Sequence, residues 1–134
     1  IIQCLFFYNK DILDQAGITD IPRTYSEFRD ACKKVTEMGN GNVYGLIDGG
    51  KQMNRMDVMA RSLAAAAGGK IAATQKVLTD NGAAPYDSEA MSQALGLIKG
   101  LVDDGSIHPD TNNISAPEAR ELFAQGQAAF LNGM

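Results

Sequence analysis

The sequence predicts an α/β fold: layered helices on a small sheet. Three observations predict it. Short apolar runs, rich in strand formers and too short for helices, stand near the start, in the first half and at the end: Ile2–Tyr8, Val43–Ile47 and Ala128–Leu131. Longer stretches between them carry apolar residues at helical spacing. Capping residues and glycines mark where those stretches begin and stop. Helices outnumber strands, no internal repeat is present, and the order fits a layered α/β unit.

Along the chain, Asn9 is placed to cap a helix over Lys10–Ala16, which Gly17 ends. Pro22 follows, and Thr24 with Glu27 forms a capping box for a helix reaching about Met38. Its expected apolar stripe is Phe28, Ala31 or Cys32, Val35 and Met38. Gly39-Asn40-Gly41-Asn42 is a turn cluster before the second strand. Asp48–Asn54, DGGKQMN, has no periodicity and holds two glycines, so it is a loop leaving a strand end. A helix follows over about Arg55–Ala67, with Met56, Met59, Leu63 and Ala66 along one side and Gly68-Gly69 as its stop.

Asp80-Asn81-Gly82 within Lys76–Tyr86 signals a small hairpin. Asp87 or Ser88 caps the next helix, which Asp103-Asp104-Gly105 ends. Met91, Leu95, Ile98 and Val102 are expected to line one face, with Ala94 and Leu101 beside them. His108-Pro109 opens a polar loop in which the histidine is read as a solvated surface residue. Ser115 and Glu118 form a further capping box, Ala119, Leu122 and Phe123 make a stripe, and Gly126 closes the helix. The last strand then runs into Asn132-Gly133, expected to turn the backbone out.

A length of 134 residues is one domain by size and enough to bury a core. Hydrophobic residues are 45%, charged residues 21% and the net charge is −4, with Lys and Arg scattered. That distribution lacks the clustered basic footprint of a nucleic-acid partner. No apolar run is long enough to span a bilayer. Reactive side chains are sparse. The single histidine, His108, has no second histidine or CxxC pair to share a zinc. Cys4 and Cys32 both fall in apolar stripes, read as small buried hydrophobes, and nothing demands that they pair. Ile1-Ile2-Gln3-Cys4 is superficially like a lipid-attachment site. The Asp110–Asn113 loop, DTNN, lacks the glycine and distal glutamate of a calcium hand. Asp48-Gly49-Gly50-Lys51 has only part of a phosphate-loop spacing. No catalytic, cofactor or metal site is predicted.

Several segments, in order, resemble one family. SAPEARELFAQGQAAFLNGM at Ser115–Met134 looks like the unit preceding a cleft contact in the extracellular solute-binding proteins of ABC importers, family 1, the sugar-binding type. LFFYNKDILDQAG at Leu5–Gly17 is similar to the family's segment after the interdomain hinge, and IPRTYSEFRDACKKV to its Pro-x-Thr-aromatic helix start. LAAAAGG and the helix from Asp87 to Asp104 sit in the same order. The resemblance covers nearly the whole chain. It implies a periplasmic-binding-protein-like lobe: most of the second, C-terminal lobe of a two-lobed protein, without the first lobe, the closing helices and the leader. It implies capture of a sugar or oligosaccharide outside the cytoplasm, in the periplasm or on a cell-surface lipoprotein. Delivery would be to ABC permease subunits, with no enzymatic step.

The resemblance also places the Asp48, Gly49, Gly50 loop and the helix turns carrying Arg55, Met56, Asp57 and Arg61 on the cleft, together with Asn132, Gly133 and Met134. Asp57 can accept sugar hydroxyls, and Arg55 or Arg61 can donate a fork to hydroxyls or an acid. The alternative is an i,i+4 ion pair between Asp57 and Arg61. The chain departs from the family's aromatic platforms. It has no Trp, Met134 stands where an aromatic often follows Asn-Gly, and Met53, Met56 and Met59 offer either a soft apolar wall instead or core packing, the latter being the reading for Met59. Tyr8, Tyr25, Tyr44 and Tyr86 read as packing or strand-end residues. Polyamine, peptide or metal ligands, an enzyme using Asp48 or Asp57, and a plain interaction module remain the alternatives.

Overall fold

The computed structural model describes residues 5–66 and 89–133. The hairpin expected within 76–86, the Gly68-Gly69 stop, the Asp87 or Ser88 cap, Tyr86, Cys4 and Met134 lie outside them. Among the described residues are three strands, β1 (Leu5–Tyr8), β2 (Tyr44–Ile47) and β3 (Ala128–Gly133). Five helices accompany them: α1 (Lys10–Gln15), α2 (Tyr25–Gly39), α3 (Asn54–Ala66), α4 (Glu89–Asp103) and α5 (Ala116–Ala124).

The last strand in sequence is the centre of the sheet, in the order β1-β3-β2. β1 runs antiparallel to β3, from Leu5 opposite Gly133 to Tyr8 opposite Phe130. β2 runs parallel to it, with Leu46 beside Phe130 and Ile47 beside Leu131. Alternate residues therefore go to opposite faces. Leu46 and Phe130 join the core formed with Val35, Met59, Met91 and Leu101 of the long helices. Ile47 and Leu131 pack with Ala119, Leu122 and Phe123 of α5. Central position explains why every residue of β3 is buried. The Phe28 ring bridges Phe6 and Phe130, at centroid distances of 5.4 and 4.8 Å.

The caps form as their residues dictate. Asn9 accepts the Ile12 N–H at 3.2 Å. Thr24 Oγ1 accepts the Glu27 N–H at 3.2 Å, and Glu27 accepts those of Arg23 and Thr24. Glu118 accepts both the Ser115 N–H, at 2.7 Å, and its hydroxyl, at 2.6 Å. Gly17 and Gly126 take left-handed φ values of 70° and 80° after α1 and α5. The paired acids at the end of α4 are answered by cations. Asp103 accepts from Lys99 at 2.5 Å, and Asp104 takes a two-pronged bond from Arg29 at 2.7 and 3.0 Å.

Several expectations need correction. The buried arc of α4 is Met91, Ala94, Leu97, Ile98 and Leu101, whereas Leu95 and Val102 are 47% and 59% exposed. A Cβ on Gly100 would stand 2.7 Å from the Arg29 guanidinium, the far end of a flexible side chain. In α3 the buried set is Arg55, Met59, Ala60 and Ala64, with Met56 and Leu63 half-buried and Ala66 exposed. Met38 is exposed because it lies in the last turn of α2, next to the left-handed Asn40 cap. Asn132-Gly133 do not turn outward; β3 continues through them, paired to β1. His108 is buried, not solvated. Cys32 is buried too, and burial pushes its thiol pKa far up, leaving it an inert hydrophobe.

Two glycines, one in β2 packed against α2 and one on the exposed side of α4, should respond oppositely to a methyl group. A Cβ on Gly45 would stand 2.4 Å from the Cys32 Cβ and 2.6 Å from its Cα, while one on Gly96, within α4, meets nothing within 4 Å. In urea unfolding, Gly45→Ala should lose about 1–3 kcal/mol. Gly96→Ala should gain about 1 kcal/mol through helix propensity.

The caps also carry a pH dependence. Hydrogen bonds from Ser115 hold the Glu118 carboxyl below its ordinary 4.5, and bonds from the Arg23 and Thr24 backbones do the same for Glu27. A depressed folded-state pKa gives stability that is present above the ordinary value and lost as pH falls through the folded one. Melting temperature should therefore drop on acidification below 4.5, and Glu118→Gln should flatten that acid limb by lowering the neutral-pH plateau toward the acid value.

Candidate functional site

Parallel pairing brings the ends of β2 and β3 to the same edge of the sheet. That is where open α/β sheets gather ligands. The chain leaves β2 at Asp48, loops through Gly49–Met53 and enters α3, so the loop and the helix start lie beside Asn132 and Gly133.

A buried polar cluster holds this corner together. Asp48, Arg55 and Asn132 are 1%, 3% and 1% exposed. Asp48 Oδ1 accepts from Arg55 Nε and from the Gly49 N–H, each at 2.6 Å. Asp48 Oδ2 accepts from Asn132 Nδ2 at 2.5 Å, and Arg55 Nη2 donates to the Asn132 carbonyl at 2.6 Å. Charge-assisted bonds such as these are short and strong. They engage the Asp48 carboxylate and Arg55 with the protein itself. The side chains named from sequence as candidates are thus brought together, but three of them face one another under the surface.

The two loop glycines are required by backbone packing. A Cβ on Gly49 would stand 2.3 Å from the Ala116 nitrogen, and one on Gly50 would stand 2.8 Å from the Thr111 carbonyl oxygen. The Gly50 N–H donates to that carbonyl at 2.7 Å, and the Lys51 N–H donates to Ile114 O at 3.1 Å. Both amides are therefore satisfied internally. A Cβ on Gly133 would meet the Phe7 ring at 2.4 Å, so the glycine makes room for β1.

What the corner presents outward is a ridge of Lys51, Gln52, Met53 and Asn54, all exposed, with Met53 at 94%. Met56, Asp57 and Arg61 continue it half-buried. Asp57 and Arg61 form the i,i+4 ion pair at 2.5 Å. Of the three methionines read as an apolar wall, Met53 is the fully exposed one and Met59 is in the core, while Gln52 and Asn54 carry no sequence signal beyond their place in the loop. Among the described residues no cluster of three His, Cys, Asp or Glu side chains can hold a metal. Tyr25 and Tyr44 lie elsewhere. Tyr25 donates its hydroxyl to Leu63 O, and Tyr44 packs edge-on against His108. A cavity of about 640 Å³, with Asp20, Arg23 and Lys34 on its wall, includes no residue of this corner.

Comparison with known proteins bears on this geometry. The profile of the bacterial extracellular solute-binding proteins matches residues 3–133. A Brucella abortus protein, named only as a binding protein, is 26% identical over 125 residues, 93% of this chain and 28% of that protein. A chitin oligosaccharide binding protein superposes with a TM-score of 0.74 at 26% identity, over 97% of this chain and 31% of the other. An ABC transporter solute-binding protein of Thermotoga lettingae, bound to α-D-tagatose, does so at 0.73 and 28%, over 97% and 32%. This chain spans under a third of the length of the relatives it matches.

The buried cluster makes a measurable claim. Arg55→Met leaves the Asp48 charge buried with only neutral donors, and should cost about 3–5 kcal/mol in denaturant unfolding. Adding Asp48→Asn to it should recover much of that loss. If the two substitutions simply add, the pair is not coupled as described.

Proposed function

Because the chain belongs to the bacterial extracellular solute-binding proteins, we propose that it forms most of the second lobe of a two-lobed protein that captures a neutral sugar or oligosaccharide for an ABC importer. The single observation that carries this reading is the strand-end corner. A loop anchored by Asp48, Arg55 and Asn132 presents Lys51–Asn54 and the half-buried Met56, Asp57 and Arg61 at the end of β2 and β3. Sugar-binding structures that match almost all of the chain at above a quarter identity support the ligand class.

In this reading the ligand lies between this lobe and another. Met53 and Met56 cover an apolar sugar face in place of an aromatic ring. Gln52, Asn54 and the Asp57–Arg61 pair bond its hydroxyls, and Gly133 borders the same side. Ligand contacts made by both lobes favour a closed state, which the permease subunits recognise. No chemical step is assigned to the chain. Asp48 is engaged by three donors, and His108 by Gln127 and the Asp110 N–H, so in this reading both serve the protein's own structure.

The test is thermal unfolding of the complete protein carrying these residues, against neutral sugars, polyamines, amino acids and divalent metals. A sugar at about a hundred times its Kd should add roughly 2.7 kcal/mol and raise the midpoint by several degrees. Met53→Ala should leave the unliganded midpoint unchanged and weaken the sugar about tenfold. A shift with polyamines or acids and none with sugars overturns the ligand class.

A further inference from the structure

We propose that His108 is a positioning residue of the ligand loop: as the neutral Nε2–H tautomer it pins the turn on which the Gly50 and Lys51 amides are hung. The inference rests on the binding role proposed for that loop and adds a residue outside it.

The tautomer follows from the partners. The Asp110 N–H can only donate, and it reaches His108 Nδ1 at 3.2 Å, so Nδ1 carries the lone pair. The proton then sits on Nε2, 3.1 Å from Gln127 Oε1, which accepts it. The Gln127 amide nitrogen turns the other way, to Gln125 Oε1 at 3.3 Å. The Tyr44 ring closes the pocket edge-on, with centroids 5.0 Å apart. The imidazole is buried, so a missing bond on either nitrogen is not replaced by bulk water.

From this ring a continuous set of backbone bonds leads to the loop. His108 N donates to Leu46 O at 2.8 Å, fixing the segment beside β2. The His108 carbonyl accepts the Thr111 N–H at 3.0 Å. The Asp110 carbonyl accepts those of Asn113 and Ile114 at 2.8 and 3.1 Å. Thr111 and Ile114 in turn offer the carbonyls that receive Gly50 and Lys51. Among the described residues the imidazole is the one side chain found bonded to the start of this turn, through Asp110. Loss of the Nδ1 acceptor frees the Asp110 peptide to rotate, and the two carbonyls supporting the loop move with it.

The experiment reads the loop with and without ligand in the complete protein. In the unliganded protein, ¹⁵N imidazole shifts should report a proton on Nε2 and a bare Nδ1; a proton on Nδ1 overturns the proposal, and this reading needs no variant to fold. His108→Leu should speed amide exchange at Gly50 and Lys51 about tenfold, with amides of the β1–β3 ladder unchanged. His108→Asn should restore protection, because its Oδ1 can accept the N–H two residues on, as an Asx turn does. Unchanged exchange at Gly50 and Lys51 in His108→Leu overturns the coupling. So does equal loosening by Asn and Leu.

With the sugar that shifts the wild-type midpoint, the affinity loss should follow the same order, about tenfold for Leu and near none for Asn. Faster exchange without any affinity change overturns the positioning role. A wild-type protein that binds no sugar overturns the function proposed above, while the exchange result still decides whether His108 holds the loop.

Discussion

The buried ion pair between Asp48 and Arg55, tied to Asn132, is the constraint on which the strand-end corner depends. Its members come from three places: the end of β2, the first turn of α3 and the end of β3, with Asp48 and Asn132 84 positions apart. It does what apolar packing cannot do at an exposed sheet edge: it fixes both the direction in which α3 departs and the depth to which β3 extends. Desolvating the two charges is costly, and the Gly49 N–H, the Asn132 amide and the Asn132 carbonyl offset that cost. Such a cluster adds geometric specificity more than net stability. A rigid edge is what a lobe needs if hinge closure is to bring the same surface to a ligand each time.

The same bonds decide which side chains the corner presents. They withdraw an acid and a guanidinium from the surface and leave methionines, amides, one lysine and an internally paired Asp57–Arg61. A surface of that kind suits hydroxyls and apolar ring faces better than a ligand of strong charge. The glycines follow from the second support. Gly49 and Gly50 lie against the 110–116 backbone, so the loop is braced from β3 and α3 on one side and from the turn after His108 on the other.

Local chemistry made much of the fold legible in the sequence. Asn9, Thr24 with Glu27 and Ser115 with Glu118 announce helix starts because each satisfies backbone donors within four residues. Gly17 and Gly126 announce stops by the same local logic. The β2 and β3 runs were legible because they are buried strands with no polar interruption. The corner's place was legible too, as the loop between Ile47 and Arg55. Its interior was not, because whether Arg55 reaches a ligand or Asp48 depends on a partner far along the chain.

The faces of α3 and α4 were misread for a related reason. Apolar residues surround α4 widely enough to define two stripes, and packing against the core picks the one with Met91, Ala94, Leu97, Ile98 and Leu101. His108 read as surface because Pro109 and Asp110 flank it, while Gln127 and Tyr44, which enclose it, come from other elements.

The central claim is that the Asp48–Arg55–Asn132 cluster builds the corner and does not touch the ligand. A crystal structure of the complete protein with its bound sugar tests it directly. The account predicts that all four bonds of the cluster persist and that the sugar contacts the ridge from Lys51 to Asp57. An Arg55 guanidinium or Asp48 carboxylate turned out of the cluster and bonded to the sugar would contradict it.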